Sequence, residues 1–188
     1  MAIRDFEEMG PLLHETSYVD PAALVIGDVQ IGEDSSIWPF SVLRGDVNKI
    51  RIGARSNIQD NCTVHVAHDS HYHPGGYAAY VGDDVTVGHQ VILHACRVGD
   101  RCLLGMGSII MDNAIIEPDT IVGAGSLVTQ NTTLEGGYLW LGRPVRRVRA
   151  LSDEERERIV YSAQHYVRLK DRHLRDQAYN EENQQESP

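Results

Sequence analysis

The chain has 188 residues, 41% of them hydrophobic, which suffices for one domain with a substantial core and is too short for two ordinary ones. A formal net charge of −10 repels phosphate backbones and argues against nucleic-acid binding through the global field. No apolar run approaches the roughly 18 residues of a membrane span, and residues 1–10 lack the basic flank and apolar stretch of a secretory signal, so no membrane association and a cytoplasmic location are expected.

From Ile26 onward an aliphatic residue recurs at nearly every sixth position. The run is Ile26, Ile31, Ile37 and Leu43, then Ile52, Ile58 and Val64, then Val81, Val87, Leu93, Val98, Leu104, Ile110, Ile116, Val122 and Val128. This period fits neither the 3.6 of a helix nor the plain alternation of a lone strand. It fits short strands separated by tight turns, three to each solenoid coil of about 18 residues. Four residues after the aliphatic position sits a smaller side chain: Ser35, Ser41, Ser56, Cys62, Cys102, Ser108, Ala114, Thr120 and Ser126. Large and small inward residues then alternate to fill a narrow triangular interior. Cys96 takes the same slot in a five-residue rung, so all three cysteines read as buried small hydrophobes, and their odd number without CxxC spacing argues against a disulfide framework or a cysteine zinc knuckle. The expected fold is mainly β, a parallel β-helix domain over residues 1–150.

Two insertions break the period. Three extra residues lie between Leu43 and Ile52, and eleven between Val64 and Val81, where His68, His71, His73, Pro74, Gly75 and Gly76 read as a loop extruded at about 66–80. Arg143, Arg146, Arg147 and Arg149 follow the last repeat and read as solvated or subunit-facing. Residues 151–179 are expected to form an α-helix packed along the β-helix. Ser152 with Glu155 makes a capping box, and Ile159, Ala163, Tyr166 and Val167 begin its apolar stripe. Residues 180–188 are expected to be a disordered tail.

Counting rungs places the histidines. Val64 and Leu93 are one coil apart once the loop is removed, so His65 and His94 stack on one face at a strand spacing of about 4.8 Å. Two imidazole nitrogens on one tetrahedral zinc stand roughly 3.3 Å apart, a gap that leaning side chains can close. Arg44 falls in the column below His65. His89 projects from a different face, with Asp60 beneath it, and within one chain it does not reach the pair. If a second copy presents that face to the first, three imidazoles converge, Arg44 meets Asp60 across the seam, and threefold closure makes a ring with three sites. Three histidines with an open fourth position are the geometry of a catalytic zinc.

The segments Leu43-Arg44-Gly45-Asp46 and Asn57-Ile58-Gln59-Asp60, with His65 and Gly88-His89 through Leu93-His94, resemble the γ-class carbonic anhydrases. Tyr161-Ser162-Ala163 through Tyr166-Val167 is similar to a bacterial branch of γ-carbonic anhydrase-like hexapeptide-repeat proteins. The resemblance covers about residues 10 to 175. It implies a left-handed parallel β-helix and a homotrimer, with zinc held by His65 and His94 of one subunit and His89 of the next. It further implies reversible hydration of CO2 to bicarbonate, with Arg44 and Asp60 bridging subunits, Asp46 supporting that network, and Asn57 and Gln59 orienting water or bicarbonate.

The family pattern is broken in one respect. Archetypal members carry glutamates directly after the Arg-Gly-Asp and in an acidic loop, where they move protons. Here Val47 takes the first place, and the loop after His65 has no glutamate. Proton export limits fast hydration, so slow turnover is expected unless His68, His71 and His73 act as a substitute relay. Iron or cobalt could replace zinc on imidazole donors. Three other readings remain at this stage: a metal-dependent thioesterase acting on acyl-CoA, a hexapeptide acyltransferase with a metal-free histidine base, and a non-catalytic trimeric binding or assembly protein.

Overall fold

A computed structural model describes residues 3–185, with side chains described through Tyr179. Short parallel strands stack coil upon coil, and a single helix, Asp153–Gln185, follows them. On one face Leu43, Val64, Leu93, Ile110 and Val128 stand in register, and on a second Ile37, Ile58, Val87, Leu104 and Val122 do the same. All ten are fully buried. Ile52, Val81, Val98, Ile116 and Leu134 line the third face. The six-residue period is thus the spacing between corners of a triangular prism.

The small inward residues solve a problem that a purely aliphatic interior would leave unsolved. Each coil turns three corners, and its corner carbonyls need donors. The hydroxyls supply them from inside: Ser35 donates to the Gly53 carbonyl at 2.6 Å, Ser41 to Gln59 at 2.6 Å, and Ser56 to Gly82 at 2.7 Å. Among the described residues no buried side-chain polar atom lacks a partner. The three cysteines occupy this layer, and burial pushes their thiols up to about 12, so they are packing groups and not nucleophiles.

The first insertion is not a loop. Strand Val42–Ile52 runs through the corner and pairs on one side with Leu24–Ile31, where the register shifts between Gly27 and Val29. Beyond the corner it continues onto the third face against Ala79–Val81. Gly27 sits at φ 75, and a Cβ there would lie 2.5 Å from the Gly45 carbonyl oxygen, so the double corner needs glycine. The shift also corrects the start of the repeat. Val25, not Ile26, pairs with Leu43 and is the fully buried residue; Ile26 pairs with Arg44.

At another corner the residues with left-handed backbone alternate in charge: Asp34, Arg55, Asp84, Arg101 and Asp119. Arg55 pairs bidentately with Asp84, Arg101 with Asp119, and Lys170 of the helix closes the row on Asp34 at 2.9 Å. The solenoid ends in an antiparallel hairpin, Tyr138–Gly142 with Val145–Ala150, where a parallel coil was expected. Its arginines are exposed, with Arg147 on Glu135 and Arg149 on Glu155.

The helix begins as the capping box requires. Ser152 Oγ accepts from the Glu155 N–H at 3.2 Å, and Glu155 accepts from the Ser152 N–H at 3.0 Å. Ser152→Ala should lower stability by about 1 kcal/mol, read as a shift of the urea midpoint at unchanged slope. Ile159 and Ala163 are fully buried, and the helix packs on the face that carries Ser36–Ile37 and Thr86–Val87. The helix persists to Gln185, so residues 180–185 are not the disordered segment expected. Glu181, Glu182, Gln184 and Gln185 favour the helical backbone and prolong it. Residues 186–188 lie outside the described residues.

Candidate metal centre

Strand pairing sets His94 directly beside His65 and His65 beside Arg44. The two imidazoles lean together until His65 Nδ1 stands 3.2 Å from His94 Nε2. Each ring's other nitrogen meets a carboxylate: His65 Nε2 lies 3.1 Å from Asp46 Oδ1, and His94 Nδ1 lies 2.5 Å from Asp112 Oδ1. Arg44 completes the row by pairing with Asp46 at 2.5 Å. Burial would raise the Asp46 carboxyl, but the hydrogen bonds from Arg44 and His65 hold it below the usual carboxylate range.

The placement of protons along this row decides its chemistry. A neutral imidazole has one N–H, and an ionised carboxylate is acceptor-only. If Asp46 and Asp112 each take a hydrogen from the ring beside them, the two inner nitrogens face each other with lone pairs only. Such a contact is repulsive unless a cation stands between them, either an extra proton or a metal ion. Burial pushes the His65 imidazole below its ordinary value, outweighing the opposing pull of Asp46, and so disfavours the extra proton. The 3.2 Å separation matches the roughly 3.3 Å expected of two nitrogens on one tetrahedral zinc. Carboxylates on the far ring nitrogens are the usual support of metal-ligating histidines. The residues present therefore fit a divalent cation, although the described residues of one chain assemble no group of three metal-holding side chains.

His89 lies on the second face, as counting placed it. Its Nδ1 is 2.8 Å from Asp60 Oδ2, and both side chains retain substantial exposure. Asp60 is therefore the carboxylate of His89 within the chain, and Arg44 is paired with Asp46. Asn57 and Gln59 differ in what they reach. Asn57 is fully buried and donates to Thr86 Oγ1 at 3.1 Å, while its own Oδ1 accepts from Gln59 Nε2 at 3.1 Å. Gln59, not Asn57, reaches a groove of about 500 Å³ that it lines with His89, Met106, Arg158 and Tyr166.

Two residues here escaped the sequence reading. Asp112 did so because strict register puts Met111 next in the His94 column, the rung after Leu93 being one residue short. Tyr166 was read as one more apolar residue of the helix. It is half-buried against Trp38 at 5.5 Å, and burial together with the Asp60 charge raises its phenol above the ordinary value. His68, His71 and His73 are elsewhere. His71 stacks on Tyr72 and His73 faces Tyr77, and among the described residues none of the three bonds to His65, His89 or His94. Val47 follows Asp46 with its side chain half exposed.

A family model described as bacterial transferase hexapeptide (six repeats) matches residues 95–130. Protein YrdA of Escherichia coli (strain K12) is 51% identical over 172 residues, covering 92% of this chain and 94% of that protein. Gamma carbonic anhydrase 2, mitochondrial, of Arabidopsis thaliana is 46% identical over 162 residues, which span 86% of this chain and 58% of the plant protein. Among solved structures, a hexapeptide transferase family protein from Anaplasma phagocytophilum has a TM-score of 0.83 at 38% identity, covering 90% of this chain and 96% of that one.

Proposed function

Because the chain belongs to the γ-carbonic anhydrase-like hexapeptide-repeat family, we propose that it is a zinc-dependent lyase that hydrates CO2 reversibly between the subunits of a homotrimer. The observation that carries this reading is the pair of inward-facing imidazole nitrogens at 3.2 Å, each backed by a carboxylate. In the proposed assembly His65 and His94 of one copy and His89 of the next hold the ion, with iron or cobalt as substitutes suited to the same donors. When bound, zinc supplies Lewis acidity that makes water nucleophilic near neutral pH.

The chain's own side chains do the rest. Gln59 faces the groove beside His89 and hydrogen-bonds CO2 or bicarbonate, and Asn57 fixes the Gln59 amide from below. Arg44 and Asp60 keep enough exposure to meet across the seam, and Asp46 orients His65 and Arg44 together. Without glutamates at position 47 or in the loop, proton export falls to His68, His71 and His73, and slow turnover follows if they do not serve. No helix among the described residues is long and apolar enough to cross a membrane, and we assign the trimer to the cytoplasm.

A second reading keeps the ion and changes the electrophile. The groove beside His89 is walled by Leu103, Met106 and Ile121 and has room for an acyl chain, which suits thioester hydrolysis on acyl-CoA. Both readings are tested on the zinc-loaded protein by stopped-flow CO2 hydration with a pH indicator and by thiol release from acyl-CoA. His94→Ala should lower the true activity on the order of a hundredfold or more, since several kcal/mol of Lewis-acid stabilisation are lost. If neither rate responds to His94→Ala, both enzymatic readings fail. Metal-independent acyl transfer would then point to a hexapeptide acyltransferase, and no transfer at all to a binding or assembly trimer.

A further inference from the structure

His94 is gripped from both sides. Its Nε2 faces His65 and its Nδ1 meets Asp112, and among the described residues His94 is the one side chain that Asp112 bonds. Asp112 comes from the next coil, just past strand Ile109–Ile110. The backbone fixes its height there: the Asn113 N–H donates to the Ala95 carbonyl at 2.8 Å, and the Asn131 N–H donates to the Asp112 carbonyl at 3.0 Å. Ala95 directly follows His94, so the Asp112 corner is tied to the His94 coil on one side and to the Asn131 coil on the other.

Asp46 and Asp112 are not equivalent. Asp46 is shared between His65 and the Arg44 guanidinium, which already neutralises its charge. Among the described residues Asp112 pairs with no Lys or Arg, only with the His94 imidazole, and at a shorter distance. Of the two rings, His94 is therefore the one whose hydrogen is firmly placed. We propose that Asp112 is a positioning residue that fixes His94 as the Nδ1–H tautomer, turning the Nε2 lone pair toward the space shared with His65. The proposal rests on the reading of His65 and His94 as metal ligands and adds to it a carboxylate outside the recognised motifs.

The test uses the full chain, first without metal. With 15N-labelled histidine at alkaline pH, two-bond 1H–15N correlations report which ring nitrogen of His94 bears hydrogen. The wild type should show Nδ1–H; Asp112→Ala should move His94 toward Nε2–H; and Asp112→Asn, whose amide oxygen still accepts, should retain Nδ1–H. Zinc affinity, read by competition with a chromophoric chelator, should fall about 10- to 100-fold in Asp112→Ala and less in Asp112→Asn. Thermal unfolding of Asp112→Asn near that of the wild type separates positioning from folding. An unchanged His94 tautomer in Asp112→Ala overturns the proposal, as does a switched tautomer with unchanged zinc affinity. If the wild-type chain takes up no zinc, the metal reading itself fails, and the metal-free spectra still decide whether Asp112 holds the His94 hydrogen.

Discussion

Chains carrying His94→Ala and chains carrying His89→Ala, each nearly devoid of tightly bound zinc alone, should recover metal sites when co-expressed and purified as mixed trimers. His65 and His94 lie on one face of the prism and His89 on another, and the described residues of one chain assemble no group of three ligands. A site is whole when the copy that supplies the pair has an intact His94 and its neighbour has an intact His89. With random mixing in a threefold ring, about a quarter of the interfaces meet both conditions. Homotrimers of either variant carry no whole site, whereas every mixed trimer has one whole interface of three, so zinc per trimer, measured by elemental analysis on the purified mixed species, should rise to about a third of the wild-type content, with CO2 hydration rising in proportion. Failure to recover either quantity would mean that the imidazoles of different copies do not meet. Wild-type zinc content in His89→Ala alone would place the whole site within one chain.

The sequence made most of this architecture legible because the solenoid converts spacing into position. Once Val64 and Leu93 are known to stack, the neighbours of His65 and His94 follow by counting, and the pairing of these residues agrees with that count. Counting failed where the coil departs from its period. The corner at Gly45–Asp46–Val47 stayed in strand conformation, because Gly27 and Gly45 allow two double corners to nest at a distance that a side chain would forbid. Asp112 lies eighteen residues after His94, one nominal coil, but the short rung after Leu93 puts Met111 in the His94 column, so counting by rungs passed over the carboxylate nearest His94. The helix was legible as an element, through Ser152 and Glu155, but not as a contributor to the groove. Which face of the prism it covers depends on how Trp38 and Tyr18 meet it, and those contacts join residues more than a hundred positions apart.

Trp38→Ala should be among the most damaging single substitutions outside the prism interior, lowering stability by about 3–5 kcal/mol. Trp38 is 5% exposed, and its ring is the hub through which the helix is held. It meets Tyr18 at 5.4 Å, Tyr166 edge-on at 5.5 Å and His173 edge-on at 5.0 Å, while its Nε1–H donates to Ser36 Oγ at 2.9 Å. Removing it opens a cavity between helix and sheet, withdraws three aromatic contacts and strips Ser36 of its donor. The hydrophobic contacts of Ile159 and Ala163 and the Lys170–Asp34 ion pair remain, but the helix is long and mostly polar, so its grip there weakens. Two measurements separate this outcome from general unfolding. The urea midpoint should fall, and limited proteolysis should cut within 153–185 under conditions where residues 24–134 stay protected. Zinc uptake and CO2 hydration should both drop, because His89 shares its groove with the helix and, with Tyr166 and Gln59, loses its fixed surroundings. A Trp38→Ala chain with wild-type stability and wild-type hydration would show that neither the helix nor the groove beneath it depends on this cluster.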